Sequence, residues 1–162
     1  DIAGHYAVAN LIGKMIFFGT LAISKAMFPI SSERFEDGII TKNLFSKSIF
    51  IVSILCIISL IVIGFFPNLL INILFGKEYL EISNILIYIG IAFSFISLAN
   101  IILLYAVSID KKISIYPIIF ALIIQIILLS LFNNDLLSFS YGMLFSSIFL
   151  FLVSLLTIRR KN

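Results

Sequence analysis

Five apolar runs constrain this chain more than any other feature. They cover 4–28, 43–66, 82–107, 113–132 and 136–158. Each exceeds the roughly 18 residues that separate a membrane span from a buried core helix. The runs do not alternate polar and apolar residues, and they are about twice the ~10 residues of a barrel strand. Helix is therefore the only spanning conformation left, because it satisfies its own backbone hydrogen bonds in a bilayer. Composition agrees: 62% of residues are hydrophobic and 12% charged, where a soluble domain has about half and about a quarter. A water-soluble fold lacks the polar surface to cover so much Ile, Leu and Phe. The expected fold class is all-α, a polytopic transmembrane helix bundle occupying 1–162, with membrane lipid as its surroundings.

Proline, charge and Asn/Asp clusters close the runs. Pro29 is expected to stop the first span and Pro67 the second. The stretch from Pro29 to Gly38 is the longest and most charged break, and Ser31 or Ser32 is a candidate cap for a short surface helix there. The segment PNLLINILFGKEY, 67–79, is apolar but too short to cross, and reads as an interfacial piece ending at Gly76. Asp110-Lys111-Lys112 and Asn133-Asn134-Asp135 are tight connections, and Pro117 is placed to kink the fourth span. The chain opens on Asp1 and enters an apolar helix at once, with no signal-peptide pattern. It reads as the C-terminal piece of a longer polypeptide, an expectation that makes a missing N-terminal half one of its partners.

The net charge is +3 and the pI about 9.1. The basic residues sit mostly at the ends of apolar runs, so they report topology and not a nucleic-acid partner. Outside the first span, eight Lys and Arg residues fall on one side of the alternating spans and one, Lys77, on the other. The positive-inside rule puts the richer side, with the C-terminal tail, in the cytoplasm. The expected location is the cytoplasmic (inner) membrane, multi-pass.

The two remaining lysines, Lys14 and Lys25, lie inside the first span. Lys14 stands about 15 Å from its outer end, near the middle of a ~30 Å hydrocarbon core. A lysine there costs at least ~2.5 kcal/mol unless it faces protein or water. At about 100° per residue, Asn10 lies about 40° from Lys14 and Lys25 about 20° from it. Ile12, Ile16, Gly19, Ile23 and Met27 fall opposite, on a side that suits lipid. The polar arc is not pure, since Phe17 and Leu21 fall near it. One reading of Lys14 is a cation in an aqueous cavity that attracts an anionic substrate; the other pairs it with a carboxylate on another span. Lys25 lies within snorkelling reach of the surface. The candidate substrate-binding residues are thus Lys14, Lys25 and Asn10. His5 reads as an interfacial residue and not a ligand. Ser140, Ser147 and Ser154, seven apart, read as a helix-packing stripe, as do Ser46 and Ser53. Asn100 and Gln125 need partners in lipid.

Catalysis has little to stand on. There is one His and one Cys, so no internal disulfide is possible. No carboxylate pair within the spans, Gly-rich phosphate loop, metal-ligand cluster or Ser-His-Asp set can be assembled. No enzyme activity, cofactor or metal site is expected.

Gly4-His5-Tyr6-Ala7-Val8-Ala9 opening a span, Met27-Phe28-Pro29 and Ser31-Ser32-Glu33 closing it, Leu74-Phe75-Gly76-Lys77-Glu78-Tyr79 before the third span with Ile85-Leu86 after it, and Tyr141-Gly142 in the last span form an ordered set. Together they resemble the polysaccharide flippases of the multidrug/oligosaccharidyl-lipid/polysaccharide (MOP) exporter superfamily, over essentially the whole chain. The resemblance implies two pseudo-symmetric bundles of about twelve helices in all, of which this chain is the last five. It also implies transport of an undecaprenyl-diphosphate-linked oligosaccharide for polysaccharide biosynthesis, by alternating access through a basic lumen. Lys14, then Lys25, match that lumen by position on a span. A multidrug exporter of the same superfamily, or a non-transporting membrane scaffold, are the alternatives; the first calls for acidic residues in the span cores, which are absent here.

Overall fold

The computed structural model describes residues 2–109, 115–132 and 135–159. Among them the chain is entirely helical, with no strand. Six α-helices follow one another: α1 (Ile2–Glu36), α2 (Lys42–Phe65), α3 (Pro67–Leu74), α4 (Ser83–Ser108), α5 (Ile115–Leu131) and α6 (Leu136–Arg159); a 3₁₀ segment, Lys77–Ile82, leads into α4. The expected connection Asp110-Lys111-Lys112, Asn133 and Asn134 of the connection 133–135, the tail residues Arg160 and Lys161, and the side chains of Pro117 and Arg159 lie outside the described residues.

Four helical stretches are long and apolar enough to cross a membrane: Gly4–Glu36, Lys42–Phe65, Lys77–Ser108 and Leu136–Ile158. The fourth expected span is shorter. It is described as α5, 17 residues, which rise about 25 Å and stand at the lower limit of spanning length. The expected stop at Pro29 does not occur, because α1 runs through Pro29 to Glu36. Proline removes one backbone donor, but the turns on either side are held by packing. Met27 and Ser31 are both fully buried, and Ser108 Oγ donates to Ser31 Oγ at 2.9 Å. Ser31 is thus an interior contact, not a cap. The interfacial segment after Pro67 forms α3, with Pro67 in its first turn where a missing N–H costs nothing. Gly76, at φ +94°, makes the turn into the 3₁₀ segment.

α4 is the hub, with α1, α2 and α6 packed around it and α5 resting on α6. Its buried list runs from Ile85 to Ser108. The helices alternate in direction. At one end, Tyr6 meets Phe139 edge-on at 4.4 Å, and His5 meets the 3₁₀ segment. At the other end, Thr41 Oγ1 and Tyr105 Oη share a hydrogen bond of 3.1 Å, and Phe45 stacks on Tyr105 at 4.2 Å. Large apolar side chains point outward along α2 (Phe50, Ile54, Ile57, Ile61) and α5 (Ile119, Phe120, Ile123, Ile126). Water would penalise that surface heavily, whereas acyl chains accept it.

Small residues set the spacing of the helices. A Cβ on Gly13 would run into the Phe93 ring and stand 2.8 Å from Ile89 Cγ2; one on Gly90 would stand 3.2 Å from Leu60 Cδ2 and 3.3 Å from Ile63 Cδ1. The serine stripe of α6 is an interior stripe as expected. Ser140, Ser147 and Ser154 are buried, and their hydroxyls donate to the Leu136, Leu144 and Phe151 carbonyls at 2.7, 2.8 and 2.7 Å. Each serine is small enough for close approach and satisfies its own hydroxyl within the helix. On α2 the pairing of Ser46 with Ser53 fails, because Ser46 is exposed and Ser48 takes the buried place.

Gly13→Ala is expected to lower stability by about 1–3 kcal/mol, the usual cost of overpacking, despite alanine's better helix propensity. Gly19→Ala, where nothing lies within 4 Å of an added Cβ, should be neutral or mildly stabilising. Thermal unfolding of both variants in the same detergent checks the pair.

Candidate functional site

α1 places the candidate residues. Its interior stripe is Ala9, Ile12, Gly13, Ile16, Thr20, Ser24, Met27 and Ser31, all buried. These positions recur every three or four residues, so they form one face, and that face lies on α4. Thr20 and Ser24 cost little there, because Thr20 Oγ1 donates to the Phe17 carbonyl at 2.9 Å and Ser24 Oγ to the Thr20 carbonyl at 3.5 Å.

The side expected to suit lipid is therefore the inward side. Ile12 and Ile16 are buried at 2% and 6% exposure, and Met27 at 2%; Ile23 is half-buried and only Gly19 is exposed. The sequence wheel separates two faces correctly but does not say which one meets a neighbour. Gly13 decides it, since the absent side chain lets the Ile12–Ile16 face approach α4 closely.

Lys14 and Lys25 consequently lie on the outward face of α1, with Leu11, Met15, Phe18 and Ala22 exposed around them. Asn10 is half-buried, on the flank between the two faces. Eleven residues separate the lysines, about 16 Å along the axis. Because Gly13 meets Ile89 and Phe93, Lys14 is level with a point about 9–15 Å down α4 from Ser83. Among the described residues no carboxylate lies within ion-pair distance of either lysine; Glu81 Oε2 stands 4.0 Å from His5 Nε2 instead. The carboxylates of the described residues, Glu33, Glu36, Asp37, Glu78, Glu81 and Asp135, sit at helix ends and connections. The pairing of Lys14 with a carboxylate of another span is thus not found among the described residues.

His5 is more than an interfacial ring. Its Nε2 donates to the Glu78 carbonyl at 3.3 Å, and the ring tilts against Tyr79 at 5.4 Å. It fastens the start of α1 to the 3₁₀ segment before α4. Nothing in its spacing announced this, since the partners lie 73 residues apart. The Thr41–Tyr105 pair escaped the sequence for the same reason. Asn100 and Gln125 are half-buried. No group of three or more His, Cys, Asp or Glu residues suited to a metal occurs among the described residues.

The arrangement can hold an anion chemically. Two ammonium groups on one helix face, turned away from their own bundle, attract phosphate oxygens wherever water or a second protein wall covers that face. Comparison with protein-family models, with characterised proteins and with solved structures returns no match to this chain.

Proposed function

We propose that this chain is the C-terminal bundle of a membrane transporter that moves a lipid-linked oligosaccharide of the undecaprenyl-diphosphate type across the cytoplasmic membrane. The observation that carries the reading is Lys14, a cation deep in a span, outward from its own bundle and far from every described carboxylate. Exposure of that ammonium to acyl chains costs at least ~2.5 kcal/mol, so a protein wall with water in it is the partner that suits this face.

In this reading a second bundle, preceding this one in the same polypeptide, faces the lysine side of α1 and closes a cavity between the two. The diphosphate sits against Lys14, with Asn10 beside it on the flank, and Lys25 marks the route toward the cytoplasmic end. The lipid tails stay in the bilayer, so only the head group needs the basic path. Rocking of the two bundles opens the cavity to each side in turn. A multidrug exporter of the same superfamily fits less well, since cationic drugs call for carboxylates in the span cores and the described carboxylates lie at the ends of the helices and in connections.

Lys14→Ala is expected to abolish surface polysaccharide in a complementation assay at normal protein level, with Lys14→Arg retaining part of it. Full activity of Lys14→Ala would remove the site and leave a scaffold role. Topology has its own check: green fluorescent protein fused after Asn162 should fluoresce, and alkaline phosphatase at the same position should be inactive. The reverse pair of results would invert the proposed orientation.

A further inference from the structure

At the end of the bundle opposite His5, the connection from α1 to α2 folds over the end of α4 and leaves a recess of about 300 Å3, open on one side. Phe35, Ile39 and Ile40 form its apolar wall, and Thr41, Tyr105 and Lys42 its polar part. Three features make it unlike an ordinary water-facing turn. First, the apolar wall is itself exposed, Ile40 by 81%, Ile39 by 52% and Phe35 by 45%, at the ends of α1, α2 and α4. Second, Lys42 supplies the one formal charge among the described lining residues, and Glu36 and Asp37 are not among them. Lys42 also opens α2, which has no acidic residue in its first turn, so its ammonium adds to the positive end of that helix. Third, Thr41 Oγ1 and Tyr105 Oη are paired with each other. Whichever donates, the other keeps its own O–H for an acceptor.

An oxygen-rich anion with apolar substance attached meets all three conditions. We propose that the recess binds an anionic phospholipid, its phosphate against Lys42 and the Thr41–Tyr105 hydroxyl pair. Phe35, Ile39 and Ile40 dip among the upper carbons of its chains. Charge complementarity selects an anionic headgroup over a zwitterionic one, and the exposed apolar wall of Phe35, Ile39 and Ile40 selects a lipid over free phosphate. This site lies at the helix ends, on different residues from the lysine face of α1, and stands whether or not that face binds a transported substrate.

The chain contains no tryptophan, so Ile40→Trp installs a single fluorescent reporter at an exposed position. The variant, in vesicles of phosphatidylcholine with a fixed fraction of brominated lipid, is quenched by brominated phosphatidylglycerol or by brominated phosphatidylcholine. The expected result is an apparent preference of about fivefold for phosphatidylglycerol, the discrimination that one surface lysine contributes. Adding Lys42→Gln should abolish the preference while quenching by both lipids remains, and inorganic phosphate should not compete. Equal quenching by both lipids overturns the proposal. So does a preference that survives Lys42→Gln, one that inorganic phosphate removes, or no quenching by either lipid.

Discussion

The close seating of α1 on α4 is the contact on which the rest of the arrangement depends. In a bilayer, apolar burial gives helices no reason to leave lipid for each other, so association rests on packing and on hydrogen bonds. Gly13 supplies the packing by letting Phe93 and Ile89 reach the α1 backbone. Gly90, on α4 itself, does the same for Leu60 and Ile63 of α2, and the buried serines of α6 keep that helix slender. α4 gathers three neighbours, α1, α2 and α6, with a glycine on one helix of the pair at the α1 and α2 contacts. Its own serines add no cost, since Ser94 and Ser97 donate to the Gly90 and Phe93 carbonyls at 2.9 Å each.

That seating has a consequence for charge. Once the Ile12–Ile16–Met27 face is committed to α4, Lys14 and Lys25 have no place but the outside. A helix wheel gives the separation of the two faces, and the assignment of one to the interior follows from which face can be approached. The lysine face is crowded with Leu11, Met15 and Phe18, whose bulk would hold a partner helix away from the backbone. The smooth face went inward for the same steric reason.

Much of this was legible in the residues, and the rest was hidden for identifiable reasons. Hydropathy located the spans because the solvent is apolar on all sides, so run length alone carries the signal. α2 and α6 fall within a residue or two of their expected bounds. The seven-residue serine stripe of α6 was readable because both its periodicity and its size requirement are local. Pro29 misled, because proline weakens a helix locally while the fate of α1 was decided by Ser31 touching Ser108, 77 residues away. The same long separation hid His5 with Glu78 and Thr41 with Tyr105. The lysines were found by their cost, which is a property of one residue and its depth. Their direction was not found, because it belongs to a contact between two helices.

The passage of α1 through Pro29 links its lysine face to the recess at the bundle's end. A 35-residue helix rises about 52 Å, well beyond a ~30 Å hydrocarbon layer. Its last turns therefore stand among headgroups, and Arg34, Phe35 and Glu36 follow the change of surroundings with alternating charge and apolar character. Had the helix ended at Pro29, the connection to α2 would have been a long loop with no fixed relation to α4. Because it continues, Ser31 locks onto Ser108 and Gly38, at φ +74°, turns the chain back within a few residues. Thr41 is then brought to Tyr105 at a fixed height. The helix that carries Lys14 on its outward face is the same rod that sets the geometry of the recess at its end. Whatever moves Lys14 along the membrane normal must carry the Thr41–Tyr105 contact with it or break it, so a motion of α1 would register at the bundle's end as the loss of one buried hydrogen bond.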